Sequence, residues 1–379
     1  MANPYRFLIL LLPILALALL VTWMPRMTRD VPEPSIEQPD PIEPPELTPE
    51  QRELELAFER IGGDFAGTVG IAAVDVQDGA TIEYNGLDPY PQQSVSKLWV
   101  TMTALAQADA DKLDLGERVT LRREDLTVFY QPLRDIVNAR GSFSTDYADL
   151  IQRAITRSDN TANDRILRRV GGPDAVEEFL EDRELLGVRF GTDERTKQSL
   201  IAGLSWNPAY SLGNAFYEAR DLVPEAERRA AFEAYLADPI DGATPVGIAV
   251  ALARLMRGEL LSSVSTELLL ATMEQTRSGP RRLKGGAPAG WSVGHKTGTG
   301  QFFDGEQSGF NDIGVLTSPE GREYSVAVMI ARTRAPTIAR MQMMQEVVRA
   351  IVRYDAAVQE AAAAELEDAE EPEAADSEA

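Results

Sequence analysis

Two short segments near each end of the chain combine β-branched and apolar side chains with a turn between them. Residues 68–76 and 81–85 flank the polar turn at 77–80, which predicts an antiparallel hairpin. Residues 312–317 and 324–330 repeat this arrangement closer to the C-terminus. The sequence therefore contains two predicted hairpins that are separated by more than 200 residues.

Helical periodicity dominates the middle of the chain and also marks both sides of the hairpins. Residues 51–61 and 337–354 show apolar positions every three to four residues, and residues 291–297 read as an additional strand. Strands near both ends with helices in the middle predict an α/β chain of the α+β type. We expect an antiparallel sheet flanked by terminal helices, with an all-helical lobe beside it.

The N-terminal 50 residues have a different character. Residues 7–24 form an uncharged apolar run that is just long enough to cross a bilayer as a helix. No small-x-small cleavage pattern follows the run, so within residues 1–29 we favour an uncleaved signal anchor over a signal peptide. Residues 30–50 are rich in proline and acidic side chains, which predicts an extended linker.

Charge is concentrated in the two segments that flank residues 51–354. The 379-residue chain has a net charge of −23, and residues 355–379 are rich in alanine and glutamate with no lysine or arginine. We predict that 355–379 is a solvated, largely disordered acidic tail. No basic stripe favours a nucleic acid partner.

Cysteine and histidine counts restrict the chemistry. The chain has no cysteine and a single histidine, His295, which excludes thiol nucleophiles and zinc sites built on several histidines. A Ser-His-Asp triad would need His295, whose neighbour Lys296 points to the opposite face of the predicted strand. We expect the lysine to face the active site, and we expect no metal and no cofactor.

A serine and a lysine lie three residues apart at the start of a helical pattern. Ser94 and Lys97 precede an apolar run, so their side chains fall on one face of the helix, one turn apart. A partly buried lysine near other cations loses its proton more easily and can then serve as a base. The pair is therefore a candidate for nucleophilic catalysis.

Two further motifs follow in sequence. Ser158-Asp159-Asn160 lies between two predicted helices, and Lys296-Thr297-Gly298 ends a predicted strand. Taken alone, the first motif is better explained by helix capping and the second by a polar strand end with a glycine bulge. Their joint occurrence with the Ser94–Lys97 pair, in this order, is typical of enzymes that react with penicillin.

With these motifs, residues 51–354 resemble the class A serine β-lactamases and their relatives. The resemblance includes Gly171-Gly172-Pro173, Asp241-Gly242-Ala243-Thr244-Pro245 and the strand that leads into Thr299-Gly300. It implies the β-lactamase/transpeptidase-like fold and an acyl-enzyme on Ser94.

The resemblance also implies a role for each motif residue. Ser94 is the expected nucleophile and Lys97 its activating neighbour, while Ser158 passes a proton to the leaving nitrogen. The backbone N–H groups of Ser94 and Thr299 form the expected oxyanion hole. The expected substrate-binding residues are Asn160, Lys296, Thr297 and Gly298.

One part of the family pattern is missing. The β-lactamases carry a Glu-x-x-Leu-Asn loop whose glutamate activates the water that hydrolyses the acyl-enzyme. Here Glu194 is the candidate glutamate, but Leu-Asn does not follow it, and the segment from about 191 to 240 is longer than usual. A solvated loop carboxylate explains Glu194 equally well.

The favoured function is a serine β-lactamase-like hydrolase that opens β-lactam rings. A D,D-peptidase or a related peptidoglycan amidase of the same fold is the alternative enzyme, and a catalytically degenerate envelope binding module is the alternative outside catalysis. The expected partners are a β-lactam or a peptidoglycan-derived peptide, with residues 7–24 in the membrane. We expect the domain at the periplasmic or extracellular face.

Overall fold

The computed structural model describes residues 46–370. The strands and helices below are numbered in chain order. The strands are β1 (Gly67–Asp75), β2 (Thr81–Tyr84), β3 (Tyr90–Pro91), β4 (Arg118–Leu121), β5 (Phe143–Asp146), β6 (Gly242–Ala243), β7 (Ser292–Thr299), β8 (Phe302–Phe303), β9 (Glu306–Thr317) and β10 (Glu323–Thr333). The helices are α1 (Pro49–Gly63), α2 (Lys97–Asp109), α3 (Leu133–Arg140), α4 (Tyr147–Thr156), α5 (Asn160–Val170), α6 (Pro173–Asp182), α7 (Glu194–Ile201), α8 (Ala215–Asp221), α9 (Glu225–Ala237), α10 (Pro245–Met256), α11 (Ser263–Glu274) and α12 (Thr337–Glu370).

The main sheet joins the two ends of the chain. Its strand order is β2-β1-β10-β9-β7, with β8 paired to β9, and all of these pairings are antiparallel. β1 lies next to β10 although more than 240 residues separate them. The strand β7 forms one edge of the sheet, so N–H and C=O groups on its outer side are available to a ligand.

Helices cover both faces of this sheet. Alternate residues of β1 point to opposite sides, so Ile71 packs with α1 and α12 while Ala72 packs with the helices of the middle segment. The larger core lies on the second side and extends from the sheet into α2, α4, α5 and α10. The predicted fold class, a sheet with terminal helices beside a helical lobe, is confirmed.

The first described helix begins earlier than the predicted start at residue 51. Thr48 caps it, since its hydroxyl accepts from Gln51 N and its own N–H donates to the Gln51 side chain. Pro49 occupies the first turn, where a missing N–H is tolerated. The folded domain therefore includes residues that we assigned to the linker.

The last helix corrects our prediction for the C-terminal segment. Residues 355–379 were expected to be largely disordered, but α12 continues to Glu370. Alanine and glutamate both favour helix, and Asp355 is buried and accepts a hydrogen bond from Tyr324 Oη at 2.9 Å. The acidic composition indicated solvation but not loss of helical structure.

The predicted membrane segment and most of the linker lie outside the described residues. Within residues 46–370, every helix is too short or too polar to cross a bilayer.

Candidate active site

Ser94 lies in a tight turn at the entrance of α2. A 3₁₀ turn over Gln93–Ser96 precedes the helix, and Gln93 has a φ of 55°, a left-handed conformation that is unfavourable for this residue type. The turn directs Ser94 to the same side as the first helical residue. Lys97 Nζ donates to Ser94 Oγ at 2.8 Å, as their spacing predicted.

Buried hydrogen bonds to Asp241 hold this turn in place. Gln93 N donates to Asp241 Oδ2 at 2.8 Å, and Gln92 Nε2 donates to the Asp241 carbonyl at 2.8 Å. Tyr235 Oη donates to Asp241 Oδ1 at 2.9 Å and accepts from the Gln93 side chain. Asp241, which lies 147 positions after Ser94, thus supports the strained turn through these hydrogen bonds. Its complete burial keeps water from competing for them.

The second motif lies on the turn between α4 and α5. Ser158 has a φ of 56°, and Asp159 caps α5 by accepting from Ala162 N at 3.0 Å. Asn160 Nδ2 donates to the Val128 carbonyl at 2.9 Å, whereas its buried Oδ1 has no partner among the described residues. Asp159 therefore positions the motif, and Asn160 retains hydrogen-bonding capacity for a ligand.

The third motif occupies the edge strand β7. Lys296 Nζ donates to Ser158 Oγ at 3.0 Å, so the second and third motifs meet as the first pair does. Thr297 and Thr299 line the same cavity as Ser94. Gly298 is not among the lining residues; a Cβ there would lie 2.3 Å from the Gln92 carbonyl, so glycine lets β7 approach the Ser94 turn closely.

Glu194 is not a solvated loop carboxylate. It begins α7 and is almost completely buried, and its Oε2 accepts from Lys97 Nζ at 3.4 Å. Gln198, one turn later, donates from Nε2 to Glu194 Oε1 at 2.8 Å, and both residues line the cavity. The structure thus places a carboxylate and an amide beside the Ser94–Lys97 pair.

A second buried lysine is bonded to the same carboxylate. Lys197 Nζ lies 3.4 Å from Glu194 Oε2 and 3.1 Å from Asp241 Oδ2. Asp164 Oδ1 accepts from Glu194 N at 3.3 Å and so holds the start of α7. Sequence reasoning missed Lys197 and Asp164, because neither belongs to a motif.

The charges of these groups follow from burial and from one another. Burial lowers the pKa of Lys97, and Glu194 offsets this only in part. Burial would raise the pKa of Glu194, but the ammonium groups of Lys197 and Lys97 lower it to about 2. At neutral pH Glu194 is therefore an anion beside a lysine that gives up its proton more easily than usual.

Burial also makes the cations in and beside the third motif easier to deprotonate. It lowers the pKa of Lys296 well below the usual range, and the nearby Lys97 lowers it further. Burial lowers the pKa of Arg282 to about 10, so that residue remains a cation at neutral pH. Arg282 Nη2 donates to Thr299 Oγ1 at 2.6 Å, which places its charge at the end of β7.

These groups surround a cavity of about 600 Å³. One end is cationic, with Arg157, Arg277 and Arg282 among its lining residues, and Ser278 bonded to Thr297 through their hydroxyls at 2.7 Å. Cationic side chains in the lining favour a ligand that carries a negative charge. Within residues 46–370, no three acidic, histidine or cysteine side chains converge as a metal site. His295 is buried and bonded to Asp312 at 2.9 Å, away from the cavity lining.

Comparison with known proteins agrees with this geometry. Residues 53–354 match the Beta-lactamase enzyme family. This chain belongs to that family. The predicted resemblance to class A serine β-lactamases is confirmed, since the similar proteins are named β-lactamases and one of the solved structures is named a class A enzyme.

Two curated family members are similar over most of their length. The extended-spectrum β-lactamase PER-1 of Pseudomonas aeruginosa is 29% identical over 72% of this chain and 80% of its own. The β-lactamase CTX-M-4 of Salmonella typhimurium is 28% identical over 70% of this chain and 75% of its own.

Solved structures give the same result for the fold. An ancestral class A β-lactamase is 28% identical with a TM-score of 0.64, covering 79% of this chain and 99% of its own. The TLA-1 extended-spectrum β-lactamase has a TM-score of 0.67 at 24% identity, covering 80% of this chain and 99% of its own, and so supports the fold alone.

This family member departs from the usual pattern after its glutamate. Lys197 and Gln198 stand where Leu-Asn is expected, and the buried lysine is accommodated because Asp241 neutralises it. A glutamine at the expected asparagine position retains the amide function. Between Ile201 and Asp241 the chain forms α8 and α9, whose residues Phe216 and Phe232 belong to small apolar clusters with Val128 and Phe303.

Proposed function

We propose that this protein hydrolyses β-lactams through an acyl-enzyme on Ser94. The observation that carries the proposal is the placement of Glu194, an ionised buried carboxylate that lines the Ser94 cavity with Gln198. A peptidase of the same fold needs no such carboxylate for acylation, whereas rapid hydrolysis of a penicilloyl ester needs a base for water. The intact set of polar groups also argues against a degenerate binding module.

In the acylation step, Ser94 Oγ attacks the β-lactam carbonyl carbon while Lys97 Nζ accepts the hydroxyl proton. The 2.8 Å contact and the lowered Lys97 pKa support this role. Backbone N–H groups of Ser94 and Thr299 would stabilise the oxyanion, since Thr299 lies on the edge strand. Such a donor contributes about 3 kcal/mol to transition-state stabilisation.

Ring opening needs a proton on the leaving nitrogen. Ser158 Oγ accepts a hydrogen bond from Lys296 at 3.0 Å and lines the cavity, so it can donate its own proton to nitrogen. The proton that Lys97 removed from Ser94 then restores the Ser158 hydroxyl, which leaves Lys97 neutral for the next step. The substrate carboxylate would bind near Thr297 and Arg282 at the cationic end. The bound carboxylate favours the protonated form of Lys296, because an anion stabilises a nearby cation.

Deacylation would then use Glu194. A water bonded to Glu194 and Gln198 loses a proton to the carboxylate and attacks the ester carbonyl, and Ser94 leaves with a proton returned through Lys97. Glu194 can act in this way because its low pKa keeps it ionised. Lys97 Nζ and Lys197 Nζ each lie 3.4 Å from Glu194 Oε2, and these contacts hold the carboxylate in place.

We further propose that the enzyme works outside the cytoplasm, attached to the membrane by an uncleaved segment at 7–24. The apolar run and the acidic, proline-rich linker at 30–50 support this arrangement. Protease protection of the full chain in spheroplasts, with and without residues 1–29, tests it. A full chain that stays in the cytoplasmic fraction would contradict it.

Hydrolysis of a chromogenic cephalosporin by the full chain tests the main proposal. We expect turnover by the wild type and none by Ser94→Ala, with a covalent penicilloyl adduct on the wild type alone. Thr103→Ala, a buried hydroxyl on α2 that bonds to the Trp99 carbonyl at 2.9 Å, is the matched control and should remain active. Equal labelling of Ser94→Ala would overturn the assignment of the nucleophile.

A further inference from the structure

Three buried glutamines form a hydrogen-bonded network beside Glu194. Gln93 directly precedes the nucleophile Ser94. Gln198 lies on α7, one turn after Glu194, and Gln301 lies between β7 and β8. Gln198 Nε2 donates to Gln93 Oε1 at 2.8 Å, and Gln301 Nε2 donates to Gln198 Oε1 at 2.9 Å. This glutamine network therefore joins the Ser94 turn, the helix that carries Glu194 and the end of the edge strand.

Backbone carbonyl groups fix the two outer members of the glutamine network. A half turn exchanges the nitrogen and oxygen ends of an amide, so its orientation follows from partners that can only accept. Gln93 Nε2 donates to the Ser308 carbonyl at 3.2 Å, which turns the Gln93 oxygen toward Gln198. Gln301 Nε2 donates to the Gln198 carbonyl at 2.8 Å, so the Gln301 nitrogen also faces the Gln198 side chain. Neither outer amide can turn over without losing one of these bonds.

The central amide, that of Gln198, is thereby held in one of its two orientations. Its nitrogen donates to Glu194 Oε1 at 2.8 Å and to Gln93, while its oxygen accepts from Gln301. In the opposite orientation its oxygen would face the Glu194 carboxylate and its nitrogen would face the Gln301 donor. Hydrogen bonds would then be replaced by contacts between two acceptors and between two donors.

This orientation determines what Gln198 can offer to a water in the cavity. Both of its N–H groups are used, and its oxygen keeps a second lone pair that can accept a hydrogen bond. A water that donates one hydrogen to Glu194 and the other to Gln198 Oε1 directs a lone pair at the ester carbonyl. A turned amide would instead donate to the water oxygen and occupy the lone pair that must attack.

We propose that Gln301 is a positioning residue for deacylation, which acts by holding the Gln198 amide oxygen toward the hydrolytic water. This inference rests on the proposed function. Gln301 is not among the residues that line the Ser94 cavity, whereas Gln198 is, so Gln301 acts through Gln198. Gln301 also lines a neighbouring cavity, and a contact with substrate there would alter acylation rather than deacylation. The two roles are therefore separable by experiment.

Gln301→Met removes both donated hydrogen bonds while keeping a side chain of similar length. With a penicillin as substrate, we expect the acyl-enzyme to decay about tenfold more slowly, while the acylation rate changes less than about twofold. Where deacylation limits turnover, kcat and KM should fall by the same factor, because kcat/KM reports only the steps up to acylation. Rapid quench of the full chain followed by mass spectrometry measures both rates.

Gln107→Met is the matched control. Gln107 Nε2 also donates to a backbone carbonyl, that of Val170, at 2.7 Å, but this residue lines neither cavity. The control should keep the wild-type rates of acylation and deacylation. A double variant adds a second test: once Gln198→Leu has slowed deacylation, adding Gln301→Met should slow it no further, because no amide remains to be oriented.

An unchanged decay of the acyl-enzyme in Gln301→Met would overturn the proposal. A loss confined to kcat/KM would also overturn it, since that result assigns Gln301 to substrate binding, as would a further loss in the double variant. If Gln301→Met does not fold, Gln301→Glu decides the question, because an ionised carboxylate of the same shape cannot donate and should slow the decay at least as much. A wild type that neither forms the adduct nor hydrolyses the penicillin would instead overturn the proposed function.

Discussion

Lys197 Nζ lies 3.4 Å from Glu194 Oε2, the oxygen that also accepts from Lys97 Nζ at 3.4 Å. A carboxylate between two buried ammonium groups is held as an anion, and Asp241 balances the additional charge. Burial would lower the pKa of Lys197, but Asp241 and Glu194 raise it above the usual range. Lys197 therefore stays charged while Lys97 is free to exchange its proton.

Replacing Lys197 with methionine should shift the acidic limb of the dependence of kcat on pH to higher pH, by about one pH unit or more. Glu194 acts as a base only when ionised, and loss of one ammonium raises its pKa from about 2. The variant should lose more activity at pH 3 than at pH 7, whereas Lys197→Arg should resemble the wild type. An unmoved limb would mean that Lys197 has only a structural role.

Asp164→Asn should raise the free energy of unfolding more at pH 8 than at pH 5. Burial, together with Asp193 and Glu194, raises the pKa of Asp164 to about 7. The folded protein binds this proton more tightly than the unfolded chain does. The free energy of unfolding therefore falls as the pH rises from the pKa of the unfolded chain to the folded pKa of about 7. The neutral amide removes this cost, which is on the order of 2 kcal/mol.

Urea unfolding of the wild type and Asp164→Asn at both pH values measures this effect. An amide oxygen can still accept from Glu194 N, so the contact at the start of α7 is retained. A free-energy difference that does not change with pH would show that Asp164 is ionised in the folded protein throughout this range.

Glu194→Gln should trap a penicilloyl-enzyme on Ser94. Acylation uses Lys97 and continues, but loss of the base slows deacylation by about 10²–10⁴-fold. Mass spectrometry during turnover should show the adduct on the variant and little on the wild type. A wild type that already accumulates the adduct would favour the peptidase alternative. Rapid turnover by wild type and variant alike would mean that a group other than Glu194 activates the water.

The three motifs were predictable because their chemistry is local. A serine and a lysine one helical turn apart, and a lysine on an alternating strand, have directions that backbone geometry sets. Their meeting at one cavity followed from the family resemblance. Lys197 could not be predicted as a site residue, because a lysine on a polar helix normally faces solvent, and only the distant Asp241 explains its burial.

The role of Glu194 also could not be predicted from the sequence alone. Its sequence context lacks the expected Leu-Asn, so the residue could not be distinguished from a surface carboxylate. The structure brings it to Lys97 through the capped start of α7 and the contact with Asp164. Likewise, Tyr130, Tyr217 and Phe302 line one cavity next to the active site, but they are too far apart in sequence for that proximity to be predicted.

Arg282→Leu should lower kcat/KM for carboxylate-bearing β-lactams by about 10- to 100-fold. The guanidinium keeps its charge at neutral pH, while the lowered pKa of Lys296 makes that residue a weaker attractant before substrate binds. A methyl ester of the same substrate is the control and should react similarly with wild type and variant. A loss shared by acid and ester would assign Arg282 to folding, through its hydrogen bonds to Gly298 and Asn311.

Lys296→Ala should cost a few kcal/mol of transition-state stabilisation with the same acid, because Ser158 also loses its partner. The loss should persist with the ester, since proton delivery to nitrogen fails as well. Unchanged catalytic efficiency would place both the carboxylate and the proton donor elsewhere.

Truncation after Tyr354 should destabilise the domain by about 1–3 kcal/mol. It removes Asp355 and leaves the buried Tyr324 hydroxyl without the acceptor that lies 2.9 Å away. Truncation after Gln359 keeps that acceptor and the 2.7 Å contact from Gln359 to Asp355, so it should cost little. Urea unfolding of the two truncated chains and the full chain measures the difference. Tyr324→Phe in the chain that ends at Tyr354 should recover part of the lost stability, because it removes the unpaired hydroxyl. Equal stability of the full chain and the two truncated chains would show that α12 beyond Tyr354 adds nothing to the stability of the fold.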